Sequence, residues 1–217
     1  MIPAFPRRRL ARPGLFAMAA AAMLLAACSG AGATAVPSSD PPGAATGECP
    51  TSQPAALPAG ETRTVTIETD KGSFEIKVEA DLSPIAAGNF VALAECGYYD
   101  GVVFHRIVPL FVIQGGDPTG TGTGGPGYQI QDEQVTAAYA RGTVAMARTA
   151  QPNSVGSQFF VVLDDSARAA LESANTYQII GTVTSGMDAV DAIAAAAGAE
   201  ELPSNPVVMT NVSVSTP

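Results

Sequence analysis

The chain has 217 residues, with 11 Lys and Arg against 20 Asp and Glu, a formal charge of −9, one histidine and no tryptophan. An acidic surface of this kind repels nucleic-acid backbones and anionic headgroups, so a nucleic-acid partner is excluded. A single histidine also offers poor prospects for a metal centre.

In chain order, Arg7, Arg8, Arg9 and Arg12 form a cationic start, and Leu15 to Ala27 is an Ala, Leu and Met run of 13 residues. A membrane span needs roughly 20 apolar residues, so the run fits a secretory h-region better. It ends in Leu25-Ala26-Ala27-Cys28, which resembles the lipobox of bacterial lipoprotein signals. There the cysteine thiol is alkylated by a lipid and cleavage leaves that residue as the new N-terminus. Residues 1–27 are read accordingly as a lipoprotein-type signal peptide and Cys28 as the lipidation site, with the product exported and anchored outside the bacterial cell membrane. A plain signal peptide with a chance cysteine is the alternative. Removing the four arginines takes the mature charge to about −13 by the same count.

Residues 28–62 are mostly Ala, Gly, Pro, Ser and Thr, with Val36 and Leu57 as the large apolar side chains. Such a composition buries too little surface to offset ordering entropy and reads as a disordered tether. Residues 63–217 hold the periodic apolar segments, enough for one domain with a substantial core. With Cys28 lipidated, Cys49 and Cys96 remain. Either they pair across the tether and the domain, or Cys96 is buried and free at a helix end while Cys49 is exposed.

The domain opens with alternation. Val65 and Ile67, then Phe74, Ile76 and Val78, flank Asp70-Lys71-Gly72 and predict a β-hairpin. Ser83-Pro84 predicts an N-cap and first helical position, Ala86, Phe90, Leu93 and Ala94 an inward face, and Gly97 a left-handed stop. Further strands are predicted at 102–107, 111–114, 143–148, 159–163, 177–183 and 207–214. A second helix spans Met187–Ala197, with Val190 and Ile193 inward. The fold class is therefore mainly β, a closed eight-stranded antiparallel barrel capped by two α-helices.

Three candidate features stand out. The Gly-rich run 115–127 lacks the Lys and Ser or Thr of a phosphate-binding loop, and Asp117 would repel phosphate, so it reads as a long surface crossing. His105 has no adjoining serine or cysteine nucleophile motif and reads as a hydrogen-bonded scaffold residue. Arg106 is more informative. If it shares a strand face with Phe104 it lies on an apolar surface, which is costly unless the cation is paired or used. Gln114, on the next strand, is its natural partner.

Phe104-His105-Arg106-Ile107, Gln114-Gly115-Gly116-Asp117 and Gly156-Ser157-Gln158-Phe159-Phe160 resemble the signature blocks of cyclophilin-type peptidyl-prolyl isomerases. Pro84 with Asn89-Phe90 and Leu93, the run Gly97 to Gly101, Met146-Ala147 and Gly181 follow in the family's order, so the resemblance covers about Val65 to Val214. It implies an isomerase that turns X–Pro bonds without metal or cofactor. By position it implies Arg106 as the catalytic arginine, Gln114 as the glutamine that holds it, and Phe111, Val112 and Phe160 as walls of a proline pocket. Met146 and Ala147 match its edge and Arg148 the peptide groove.

The chain departs from the family at several of these positions. Leu171 lies nearest the place of a rim tryptophan, in a rewritten segment 166–175, and Tyr177 stands where a pocket histidine is usual. Arg148 replaces an asparagine and Val112 a methionine, changes that predict weak cyclosporin binding. The expected partners are proline-containing unfolded or exported polypeptides, with the protein a monomer that assists their folding. The alternative is a proline-peptide binding or chaperone module with little turnover.

Overall fold

The computed structural model describes residues 47–198 and 200–216. Residues 1–27, read as a signal peptide, Cys28 and most of the segment read as a tether lie outside the described residues. The hairpin forms as its alternation predicts, from β1 (Thr62–Thr69) and β2 (Gly72–Glu79). Val65 stands opposite Ile76 and Ile67 opposite Phe74, all buried.

Helix α1 runs Pro84–Glu95. Ser83 occupies the N-cap position, yet its hydroxyl is buried and makes no capping bond. The amides of Ile85 and Ala86 donate instead to the two carboxylate oxygens of Glu133, both at 2.9 Å. A carboxylate satisfies two orphan donors at once and complements the positive helix end better than a hydroxyl. At the other end Gly97 (φ 77°) turns left-handed, and the amides of Gly97 and Tyr98 close onto the carbonyls of Ala94 and Leu93. That is the double closure expected of a glycine stop.

The remaining strands are β3 (Arg106–Val108), β4 (Val112–Gly115), β5 (Thr143–Met146), β6 (Phe159–Val162), β7 (Ile179–Ser185) and β8 (Met209–Ser215). They join one eight-stranded antiparallel sheet in the order β3-β4-β6-β5-β7-β2-β1-β8. The sheet curls into a half-barrel, and the expected closed barrel is not formed. The strand predicted at 102–107 is broken: only its end pairs with β4, while Val103 makes single bridges to Asp117 and Val208. Pro203 and Pro206, just before β8, have no N–H to offer a ladder, so the two edges meet in isolated bonds and not along a seam.

Among the described residues three α-helices appear where two are expected. The additional one, α2 (Arg168–Ala174), follows a 3-10 turn at Asp165–Ala167 and ends at left-handed Asn175. It is short and buries one side chain, Leu171, so it has no periodicity to read. The last helix, α3 (Met187–Ala196), inserts Val190 and Ile193 as predicted.

From residue 49 the segment assigned to the tether is held against α1. Leu57 is buried, its amide donates to the Pro84 carbonyl at 2.9 Å, and Gln53 Oε1 accepts from the Gln131 amide. A Cβ on Gly88 would come within 2.3 Å of the Ala55 carbonyl oxygen, so this mid-helix glycine makes room for the passing backbone. Cys49 and Cys96 form a disulfide with Cα atoms 5.1 Å apart and 47 residues of separation. Cross-linking over that length stabilises by about 2–4 kcal/mol, mostly by restricting the unfolded chain. Denaturant unfolding of Cys49→Ser is therefore expected to show a loss of about that size with the fold retained.

Candidate active site

The site is built on one transverse row of the sheet. Arg106 stands opposite Gln114, Gln114 opposite Phe160, and Phe160 opposite Ala145. Facing residues in antiparallel strands share a side, so these four side chains from four strands project from one surface. The neighbouring row of Ile107, Ile113, Val161 and Val144 points the other way into the main core. Phe104 lies in that core beside Phe74 and Phe159 and does not share Arg106's face. Regular pairing begins only at Arg106, so strand alternation does not extend back to Phe104.

Arg106 is one third exposed. Its Nε donates to Glu201 Oε1 at 2.8 Å and one terminal nitrogen donates to Gln114 Oε1 at 3.5 Å. Gln114 Nε2 donates to Gln158 Oε1 at 2.9 Å, and Gln158 Nε2 reaches the carbonyls of Gly122 and Gly124 at 3.0 and 2.9 Å. Neither Gln158 nor Glu201 is singled out by sequence reasoning. Gln158 lies inside a recognised block and could have been found there; Glu201 is 95 residues from Arg106 in a segment without a motif.

The Gly-rich crossing is ordered from within by Asp117, which is fully buried. Its carboxylate accepts from the amides of Thr119 (2.7 Å), Thr121 (3.1 Å), Gly122 (2.6 Å) and Gly124 (3.0 Å) and from the Thr119 hydroxyl (2.8 Å). Burial alone would raise this carboxyl's pKa. Hydrogen bonds from Gly124, Thr119 and Gly122 outweigh it and bring the value down to about 2. Gly122 and Gly124 are thus gripped twice, by Asp117 at their amides and by Gln158 at their carbonyls.

Beside this polar chain lies a second apolar cluster, separate from the main core. Val112, Phe160 and Leu171 are nearly fully buried in it, while Phe111, Ala147 and Tyr177 are half-buried around them. Phe160 and Tyr177 pack edge to face at 5.4 Å, and the Tyr139 hydroxyl holds the Tyr177 carbonyl at 2.8 Å. Leu171 comes from α2 and packs into the wall. Met146, expected at the pocket's edge, is instead wholly buried in the main core. Alternation along β5 gives the site face to Ala145 and Ala147.

A groove of about 710 Å³ is lined by Gln114, Gln158, Gly124, Tyr128, Ala147 and Arg148 among others. Arg148 lines it with its cation already engaged. Its nitrogens donate to the carbonyls of Thr149 and Gln151 and pair with Asp132 at 2.9 Å, and its side chain is 10% exposed. It pins the 149–154 loop. His105 is buried beneath Gly122, and among the described residues neither ring nitrogen finds a hydrogen-bond partner, so the expected scaffold hydrogen bond is not seen there. Desolvation lowers its pKa and favours the neutral ring.

An arginine, two glutamines and an apolar wall, with no nucleophile among them, suit chemistry by hydrogen bonding and desolvation. The model of the family "Cyclophilin type peptidyl-prolyl cis-trans isomerase/CLD" matches residues 64–214. The chain belongs to the cyclophilin type peptidyl-prolyl cis-trans isomerases. It is accordingly an isomerase of this family. It is 41% identical over 140 residues to a peptidyl-prolyl cis-trans isomerase of Arabidopsis thaliana, covering 62% of this chain and 82% of that protein. It is 50% identical over 102 residues to a Streptococcus pyogenes protein described as a putative bifunctional phosphatase/peptidyl-prolyl cis-trans isomerase. That match covers 45% of this chain and spans only 22% of that protein's length. Among solved structures, a cyclophilin of Cryptosporidium parvum superposes with a TM-score of 0.64 at 29% identity, covering 72% of this chain and 99% of that one. A second structure of that protein was determined in the presence of the dipeptide Ala-Pro.

The buried carboxylate makes the cyclophilin's acid response predictable. The folded pKa of Asp117 lies below its ordinary 3.8. Its contribution to stability, about 2 kcal/mol, is present above pH 4 and lost as the pH falls through about 2. Unfolding free energies of wild type and Asp117→Asn, measured from pH 7 downward, should differ by about that amount or more at neutrality and converge in this acidic window.

Proposed function

We propose that this cyclophilin accelerates rotation about X–Pro bonds of exported polypeptides, with Arg106 as the catalytic group and Gln114 as its holder. The observation that carries the reading is the guanidinium bonded to Gln114 in the same face row as Phe160. The prolyl amide is planar because the nitrogen lone pair is conjugated with the carbonyl, and rotation faces a barrier of about 20 kcal/mol. A substrate proline seated against Phe111, Val112 and Phe160, with Ala147, Leu171 and Tyr177 completing the apolar surface, loses water around the bond. Arg106 then hydrogen-bonds the substrate carbonyl and donates toward the prolyl nitrogen as it pyramidalises. These contacts favour the twisted amide over either planar isomer, which is differential binding of the transition state.

One charged hydrogen bond supplies roughly 1.5–3 kcal/mol, whereas a 10⁶-fold acceleration needs about 8. The difference falls to the apolar surface and to fixing the flanking peptide along the groove beside Gln158. Arg148 contributes there through the loop it braces.

Export and anchoring rest on the Arg-rich start, the 13-residue apolar run and Cys28. The Cys49–Cys96 disulfide supports an oxidising location. The anchor would hold the isomerase on the outside of the cell membrane, where secreted chains fold.

Two measurements test the reading. Arg106→Ala is expected to lower kcat/KM for a proline peptide by about 100-fold or more, followed by cis-to-trans relaxation; equal rates would remove Arg106 from the chemistry. Cells supplied with a radioactive fatty acid should label the wild type and not Cys28→Ala. An unlabelled wild type would overturn the anchor.

A further inference from the structure

Arg106 has a second anchor that the proposed reaction does not use. Its Nε donates to Glu201 Oε1 at 2.8 Å, a shorter bond than the 3.5 Å contact with Gln114. Glu201 is in turn fixed by its own backbone, whose carbonyl accepts the Ile107 amide at 2.8 Å. Ile107 follows Arg106 on β3, an edge strand of the sheet. Cation and carboxylate are therefore carried on two backbones already bonded to each other, and the pair needs no long reach from either side.

With Glu201 59% exposed, such an ion pair adds little to folding stability. Its consequence is conformational. A guanidinium held at Nε cannot swing about its terminal torsions without breaking that bond, and one of its terminal nitrogens is at the same time bonded to Gln114. Arginine's planar fork loses less freedom per bond once its orientation is set.

We infer that Glu201 is a positioning residue for the isomerase reaction, holding Arg106 by its Nε so that the terminal nitrogens meet the substrate carbonyl. The inference rests on the catalytic role proposed for Arg106. Adjacent Glu200 provides a matched control, because its carboxylate accepts from the Ser204 amide at 3.0 Å and carries the same charge.

The experiment measures kcat and KM on one X–Pro peptide for wild type, Glu201→Ala, Glu201→Gln, Glu200→Ala and Arg106→Ala, with denaturation midpoints for each. Releasing one rotamer-rich side chain predicts a fall in kcat of about 3- to 10-fold for Glu201→Ala, with little change in KM. Glu201→Gln should recover most of that loss, since its amide oxygen still accepts from Nε. Glu200→Ala should match the wild type, and the midpoints of both Glu201 variants should stay put.

Wild-type kcat in Glu201→Ala, with Arg106→Ala inactive, would overturn the inference and leave the proposed function standing. Wild-type rates in Arg106→Ala would overturn both. An equal loss in Glu200→Ala, or a glutamine variant as slow as the alanine one, would also overturn the inference, the first by showing a general charge effect.

Discussion

Antiparallel pairing forces residues that face each other on neighbouring strands onto the same side of a sheet, and a slip of one residue would exchange the two sides. On β3, β4, β6 and β5 that constraint sets Arg106, Gln114, Phe160 and Ala145 in one row. The adjacent row of Ile107, Ile113, Val161 and Val144 is locked in the main core. A register error would expose those four aliphatic side chains and bury a guanidinium without a partner, so the core itself enforces the site's alignment.

The same register explains how a mainly β domain has two apolar clusters. β5 and β6 are buried on both faces and, apart from Thr143, read as apolar runs, unlike β2 with its clean alternation. One face fills the half-barrel. The other is covered by Ala167 and Leu171 from the 3-10 turn and α2, and by Tyr139, leaving a partly open apolar surface beside Arg106. What distinguishes this surface from ordinary core is the polar chain at its border, running from Asp117 through Gly122 and Gly124 to Gln158, Gln114, Arg106 and Glu201. A carboxylate buried at one end and a carboxylate exposed at the other hold the arginine and its glutamine neighbours in place. Each bond limits the freedom of the next.

Much of the fold was legible because it depends on local patterns. Period two in β1 and β2, Pro84 and Gly97 around α1, and the apolar stripe of α3 each carry their own physical reason within a few residues. The elements that escaped depend on distant partners. Ser83 has every local credential of a cap, yet the capping oxygen arrives from Glu133. Closure of the barrel looked complete from eight strands, but depends on whether 102–107 and the residues before β8 can share a ladder across two prolines. Helix α2 buries a single leucine and announces itself only by composition. Residues 49–61 look like linker by composition, and only the packing of Leu57 and the bond between Cys49 and Cys96 bring them onto α1.

The site divides in the same way. By itself the sequence determined the chemical cast: an arginine and a glutamine eight residues apart, phenylalanines in strands, a glycine-rich crossing, one histidine and no nucleophile motif. Those are properties of residue type and spacing, which local sterics convert directly into strands and turns. Tertiary structure alone decided which of them face one another. It buried Met146 and Phe104 in the core, gave Arg148 to a loop, left His105 without a partner among the described residues and added Gln158 and Glu201. The physical reason is that side-chain neighbours across strands are set by register and burial summed over the whole sheet, and no window of sequence contains that sum.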